Sequence, residues 1–508
     1  MDSKEKNAVN SEILVAGAGF AGSLTALCLQ QCGFDVCLVE RDRHPRFAIG
    51  ESSTPIADMI LRDLADRYSL PWLRTFSRYG SWQNHYPEIT CGLKRGFSYY
   101  KHQKGNPFST DHNHENELLV AASSSDENSD TNWLRSDFDA FLVEKVREYD
   151  ILYFDQTEIK SVEWNDNHWS FRASTEKAKL KIYADFFIDA TGSSALLGEL
   201  FGISSKNDEF LTNSRAIYSH FEGVKRWSEQ LLNLGVSNRE YPYNPDHSAL
   251  HQLISEGWLW MLRFNNERTS MGIVFDQNRN TNTGDKSPEE EWETVISSYP
   301  SIRQLLNFSY ISAEPGKLIS TGRMQRKLSN AVGDHWAALP HTAGFVDPLH
   351  STGIAHTLSG VEEVVELLAK HWQSREQLTE GIRAYEDSVF KELEFIDHLI
   401  AGCYQAGDDF ELFSTWTMLY FIAAISYEQK RLKGIRPDSF LSAGNPAIRE
   451  IVHESYADLQ NLFVAGPPGG SEVQKFRDQI KQRIAPYNIA GLLDPEARNM
   501  YHHTVAEL

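Results

Sequence analysis

Cysteine is scarce in this 508-residue chain: Cys28, Cys32, Cys37, Cys91 and Cys403 are all there are, odd in number and without metal-ligand spacing. Such a set excludes a disulfide framework and a thiolate metal centre, and it points to a reducing, cytoplasmic compartment. Long apolar runs are missing as well. No stretch approaches the roughly 18 apolar residues that cross a bilayer, and Met1 to Asn10 is polar and mixed in charge, so neither a transmembrane segment nor a signal peptide is expected. Positive charge is in short supply: 49 Lys and Arg stand against 70 Asp and Glu, a formal net charge of −21. That balance argues against nucleic acid, anionic membrane or any other polyanion as a partner.

What is present begins near the start. Ile13, Leu14 and Val15 form a short apolar strand that runs into Gly17-Ala-Gly-Phe-Ala-Gly22, and Ser23 to Gln31 then follow helical spacing. Gly17 suits the tight turn, Gly19 lets the backbone approach a pyrophosphate, and Gly22 lets the helix lie close to the strand with its N-terminus toward the phosphates. A second strand, Asp35 to Val39, ends in Glu40, an acid about 20 residues beyond the glycines and placed to accept hydrogen bonds from a ribose. Together these predict a dinucleotide site.

Two further segments go beyond a simple nicotinamide fold. Phe186-Phe-Ile-Asp-Ala-Thr-Gly192 is an apolar strand that ends in a small turn, containing Asp189 and Gly192, and Trp133-Leu-Arg-Ser-Asp-Phe-Asp139 stands at the head of a helix. This combination resembles the aromatic hydroxylase and halogenase superfamily. The resemblance implies an α/β, Rossmann-like FAD-binding fold in which Arg135 lies near the flavin diphosphate, a role its planar fork suits.

Three more islands resemble the flavin-dependent halogenases in particular. Gly50-Glu-Ser-Ser-Thr-Pro55 is similar to their flavin strap, which implies contacts from Glu51 and Ser52. Gly257-Trp-Leu-Trp-Met-Leu-Arg-Phe264 resembles their Trp-x-Trp-x-Ile-Pro motif and places Trp258 and Trp260 on the substrate side, with Leu262-Arg263 in place of Ile-Pro. Asp347-Pro-Leu-His-Ser-Thr-Gly353 resembles the segment whose amides bind halide beside the flavin, which implies Ser351, Thr352 and Gly353 for the halide and Asp347 and Gly353 for the cofactor. His341 stands where the superfamily has a polar residue near the ribityl chain and is expected to replace it. His350 occupies the position of the glutamate of tryptophan halogenases, so a free-tryptophan substrate is not expected.

The family chemistry implied here uses reduced FAD, oxygen and chloride or bromide to make hypohalous acid, which a lysine presents to the substrate. Lys94, in Thr90-Cys-Gly-Leu-Lys-Arg-Gly-Phe97, is the candidate, with His350 as the second catalytic residue. A separate flavin reductase is the implied partner, and the substrate is an electron-rich aromatic or pyrrole-like molecule, free or tethered to a carrier protein. The other reading of the same residues is a flavin monooxygenase or related oxidoreductase of this fold without halide chemistry.

The organisation expected is an FAD-binding core over 10–210 with a mobile polar loop at 103–132, a substrate-side sheet over 211–330, a return to the FAD domain over 331–370, and a helical region over 371–508. Helices are expected at Ile354 to Trp372, Ala384 to Ala401 and Phe410 to Arg431, the last with an aromatic stripe. His112 and His114 lack positioned partners, so no metal is expected.

Overall fold

The computed structural model describes residues 8–165, 167–175, 179–194, 196–279 and 286–504; the first seven residues of the polar N-terminal segment lie outside that set. The strand Ala8–Ala16 runs parallel to both Val36–Val39 and Lys179–Asp189, with Ile13 opposite Val36 on one side and Phe186 on the other. Central parallel strands are covered on both faces, which explains why Ile13, Leu14, Val15, Phe187 and Ile188 have no exposed surface. In space the sheet runs Val332–Gly333, Trp336–Ala338, Lys179–Asp189, Ala8–Ala16, Val36–Val39, Leu152–Phe154. His168–Ser174 and Glu158–Asn165 add an antiparallel flap onto Lys179–Asp189.

The glycine turn meets this sheet under tight steric limits. Gly17 has a φ of +97°, and a Cβ on Gly22 would stand 1.8 Å from the Gly17 carbonyl oxygen. The helix Phe20–Gln31 can therefore lie against the strand only because neither position carries a side chain.

A second sheet orders Tyr310–Ile311, Ser214–Glu222, Thr269–Asp276, Gly257–Arg263, Ala249–Ile254, Gly96–Lys101, Glu117–Ala121 and Met500–Tyr501. It is wider than the 211–330 segment, because it takes strands from before residue 130 and from residues 500 and 501. The segment 103–132, expected as a single irregular loop, instead carries the strands Glu117–Ala121 and Asp130–Trp133. Polar residues at buried positions hide these strands from a hydropathy reading: Glu117 accepts from His114 Nδ1 at 2.5 Å and from the Tyr241 hydroxyl, and Asp130, Thr131 and Asn132 are buried as well.

The helical region packs Thr352–His371, Arg375–Ala406 and Phe410–Leu432 against both sheets. Two more helices, Pro446–Leu462 and Gly470–Ile484, cover them, the first capped by Asn445 Oδ1. The aromatic stripe of Phe410–Leu432 is divided: Trp416 is core, donating to the Leu399 carbonyl at 2.7 Å, while Tyr420 stacks on His350. Among the described residues no helix is long and apolar enough to cross a membrane.

Gly22→Ala should force the helix off the strand. The expected loss is about 1–3 kcal/mol, the usual cost of overpacking, together with FAD binding; denaturant unfolding and flavin titration measure both, and wild-type values for both would contradict the packing described.

Candidate active site

The glycine loop is tied down by a single carboxylate. Glu40 accepts from the Ala18 amide at 2.8 Å and the Asp42 amide at 3.0 Å, and Arg46 reaches it at 3.2 Å. Arg135, the first residue of the helix Arg135–Glu148, is buried rather than solvated. Its Nε and Nη2 form a two-point pair with Asp139 at 2.9 and 2.7 Å, and Nη1 donates to the carbonyls of Ile49 and Gly50. The guanidinium lies beside the loop: a Cβ on Gly19 would stand 3.5 Å from Nη2.

Asp189 closes the neighbouring strand, accepting from the Thr191 amide and hydroxyl and from the Leu197 amide. The Gly192 amide donates to Thr342 Oγ1 at 2.9 Å. His341 donates from Nε2 to the Ala190 carbonyl at 3.1 Å, and desolvation pushes its pKa down to about 3. The ring is therefore neutral, with Nδ1 as an unpartnered acceptor.

Next to this loop the strap, the tryptophan strand and the lysine join in one layer. Cys91–Lys94 pairs antiparallel with Asp130–Trp133, Lys94 opposite Asp130. The strap runs along the other edge of Asp130–Trp133: Ser52 bridges Asn132, the Ser53 amide donates to the Thr131 carbonyl, and the Trp133 amide donates to the Glu51 carbonyl. Lys94, with no exposed surface, turns its ammonium onto the Ser53 carbonyl, 3.8 Å from Asp130 Oδ2 and 4.2 Å over the Phe97 ring. Burial pulls its pKa down to about 8 against the pull of Asp130 and Asp58. Glu51 Oε1 lies 2.7 Å from His220 Nε2, whereas Glu51 Oε2, Ser52 Oγ and Thr54 Oγ1 are buried with no protein partner. Unpartnered polar atoms along a strap beside a glycine loop fit a polar, heteroatom-rich cofactor.

The 347–353 segment reaches this layer through aromatic rings. Phe97 meets Tyr99 and Tyr420, and Tyr420 stacks on His350 with centroids 4.4 Å apart. His350 Nδ1 is 3.4 Å from the Tyr99 hydroxyl and Nε2 is 3.4 Å from Cys403 Sγ. Burial pushes its pKa down to about 3, so it is neutral. Ser351 sits at φ 52°, ψ 32°, and the 20-residue helix begins at Thr352, so the first amides of Thr352 and Gly353 open a helix N-terminus. Asp347 accepts from Ser214 Oγ at 2.7 Å, the Tyr404 hydroxyl at 2.9 Å and the Leu349 amide at 3.1 Å, yet burial still raises it to about 6. Trp258 Nε1 donates to that same Tyr404 oxygen at 3.0 Å, and Trp260 donates to Ser270 at 3.1 Å.

Residues 12–66 and 135–412 match the tryptophan halogenase family. The chain belongs to that family. As a flavin-dependent halogenase it is an oxidoreductase with FAD as cofactor and halide as co-substrate. It is 26% identical over 83% of its length to monodechloroaminopyrrolnitrin halogenase PrnC of Pseudomonas fluorescens, covering 72% of that protein. It is 24% identical over 96% of its length to tetracycline 7-halogenase of Kitasatospora aureofaciens, covering 90% of it. In structure it is similar to halogenase PltM in complex with phloroglucinol and FAD, at TM-score 0.85, 23% identity, and coverage of 96% of this chain and 99% of the other.

The family match passes over residues 67–134, so the geometry around Lys94 is this halogenase's own observation. It brings together strap, lysine, tryptophans and 347–353 segment. It also adds Asp58, Asp130, Asp139, Tyr99 and His251, none of which sequence reasoning singled out. His251 stacks on Tyr99 at 4.6 Å and is neutral, pushed by burial to about 3. Arg263, which replaces the family proline, points away from the aromatic layer into Asp246 and the carbonyls of Val224 and Lys225, leaving both tryptophans buried.

Tyr404→Phe should strip Asp347 of one donor and leave the buried Trp258 N–H without its acceptor. A loss of about 1–3 kcal/mol in denaturant unfolding is expected; a stability within error of wild type would break the Trp258–Tyr404–Asp347 chain.

Proposed function

We propose that this halogenase acts on a phenol or a similarly electron-rich ring, with Lys94 as the residue that presents hypohalous acid to it. The observation that carries the reading is the buried Lys94 ammonium and its aromatic connection, through Phe97 and Tyr420, to His350 and the 347–353 segment. FAD, when bound and reduced, supplies with oxygen the oxidant that turns halide into hypohalous acid. Everything else falls to the chain.

In this reading the Gly17, Gly19 and Gly22 turn, Glu40 and Arg135 hold the ADP half. Glu51, Ser52, Asp189, Gly192, His341 and Asp347 line the rest of the cofactor. Of Ser351, Thr352 and Gly353, the last two orient halide through backbone N–H groups, because a desolvated anion needs several donors, while the Ser351 N–H donates to the Pro348 carbonyl at 2.9 Å and shapes the turn. Lys94 donates a hydrogen bond to hypohalous acid and fixes its approach, and Trp258 and Trp260 exclude water behind it.

The substrate class follows from His350. A neutral imidazole replaces the family glutamate and offers no negative charge to a ring that lacks its own activation. A phenol brings that activation with its hydroxyl, and the Tyr99–His350–His251 group supplies neutral hydrogen-bonding partners for it. Phloroglucinol, the ligand in the PltM complex, is a phenol. A separate flavin reductase supplies reduced FAD in the cytoplasm, where the five free thiols are stable.

The deciding assay supplies reduced FAD from a separate reductase, chloride or bromide, and a panel of phenols, pyrroles and indoles. Lys94→Ala should still oxidise reduced FAD but halogenate at least about a hundredfold more slowly. Lys94→Arg should fail equally, since guanidinium is bulkier and planar. Wild-type halogenation by both would remove Lys94 from the chemistry, and wild-type turnover that hydroxylates without halogenating would favour the monooxygenase reading.

Gly353→Pro tests the halide assignment separately. It deletes one N–H and fixes φ, so halogenation should be lost while FAD still binds. Halide-dependent product from this variant at the wild-type rate would move the halide elsewhere.

A further inference from the structure

An ammonium without exposed surface is held charged only where an anion faces it. Three carboxyls surround Lys94. Asp130 lies across the strand pair with Oδ2 at 3.8 Å, Asp58 comes from the first turn of the helix Pro55–Arg67, and Glu428 comes from Phe410–Leu432. Asp58 and Asp130 lie within hydrogen-bonding reach of each other, and Asp58 Oδ1 sits 3.5 Å from Ser53 Oγ. Asp58 Oδ2 and Asp130 Oδ2 are buried and have no donor from any other group. One proton held between the two carboxyls accounts for both atoms.

The electrostatics assign that proton. Burial, then the neighbouring Asp130, raises Asp58 far above the carboxyl range, whereas Asp130, pushed by burial only to about 6, is pulled back by Lys94 and by the Asp58 hydrogen bond. Burial raises Glu428 to about 8, and Tyr420 well above its usual value, so both are neutral at pH 7; His251 is neutral as well. One anion is left opposite one cation.

We propose that Asp58 and Asp130 are positioning residues for Lys94: the Asp58 carboxyl donates to Asp130, Asp130 stays a carboxylate, and that carboxylate keeps Lys94 an ammonium able to donate to hypohalous acid. The inference rests on the reading of Lys94 given above. No covalent bond changes; the pair sets which protonation state of the lysine is present when hypohalous acid arrives.

The readout is halogenated product per flavin oxidised, followed across pH. In the wild type it should fall off above the Lys94 value of about 8. Removing the Asp130 charge disfavours the ammonium, so in Asp130→Asn the alkaline fall-off should move down by about one to three pH units, each unit a tenfold change in protonation ratio. Product should return on acidification, and Asp130→Glu, which keeps the charge, should hold the wild-type alkaline edge. In Asp58→Leu the donor to Asp130 is gone, Asp130 holds a proton to higher pH and faces Lys94 with less charge, so the alkaline fall-off should move down here too; Asp58→Asn, which still donates from its amide, should hold the wild-type edge.

An Asp130→Asn alkaline edge equal to the wild type would overturn the proposal, as would coincident alkaline edges for Asp58→Leu and Asp58→Asn. If Asp130→Asn does not accumulate as FAD-binding protein, the two Asp58 variants decide alone. Halogenation by Lys94→Ala would instead defeat the reading of Lys94 itself, so the two failures are told apart.

Discussion

A charged amine that touches no water organises this molecule. Burying Lys94 demands a carbonyl acceptor, a counter-charge and a ring face within a few ångströms, and each comes from a different part of the chain: Ser53 from the strap, Asp130 from the strand opposite, Phe97 from the second sheet. Those three commitments hold the strap against the Asp130–Trp133 strand and the strand against the second sheet. The contact with that sheet is backbone-close: a Cβ on Gly92 would stand 1.8 Å from the Arg263 carbonyl oxygen, and the Asn265 amide donates to the Cys91 carbonyl at 2.9 Å. The tryptophan strand and the lysine strand are therefore in fixed register.

The same logic joins the other half of the site. Asp347, a second buried acid, is held by Ser214 from one sheet and Tyr404 from the helical region, with Trp258 one bond further out. Its three donors do not fully offset desolvation, which leaves it raised to about 6. Lys94 and Asp347 both draw partners from positions remote in sequence, so the sheets and helices that carry those partners cannot shift relative to one another without leaving a charge in an apolar interior.

Residues whose role is local in sequence were legible from it. The glycine turn, Glu40 and Asp189 stand where a single strand–turn–helix unit puts them, and the long helix, expected from Ile354, begins at Thr352. Lys94 was legible only through its resemblance to a known segment; its total burial was not, since Lys-Arg between glycines reads equally well as an exposed edge. Asp58 and Asp130 were hidden because their meaning lies in a strand register and a helix face that bring positions 58, 94 and 130 together. The strand that carries Asp130 was itself missed, its polar sequence masking burial. His350 was visible as a departure from a motif, but its neutrality follows from burial, with His251 nearby adding to it, and only the folded chain supplies both.

The pairing of Met500–Tyr501 with Glu117–Ala121 bears on how the molecule is made. Thr504 donates to the Ala121 carbonyl 383 positions earlier, and the Glu117–Ala121 strand borders Gly96–Lys101, which carries Tyr99. During synthesis the first sheet's N-terminal strands emerge and pair early, but the second sheet keeps an open edge until residues 500 and 501 have left the ribosome. An unpaired edge next to a half-formed aromatic layer is an adhesive surface. Until Met500 and Tyr501 have been made, the Glu117–Ala121 edge of the second sheet has no strand beside it and is open to pairing with another chain.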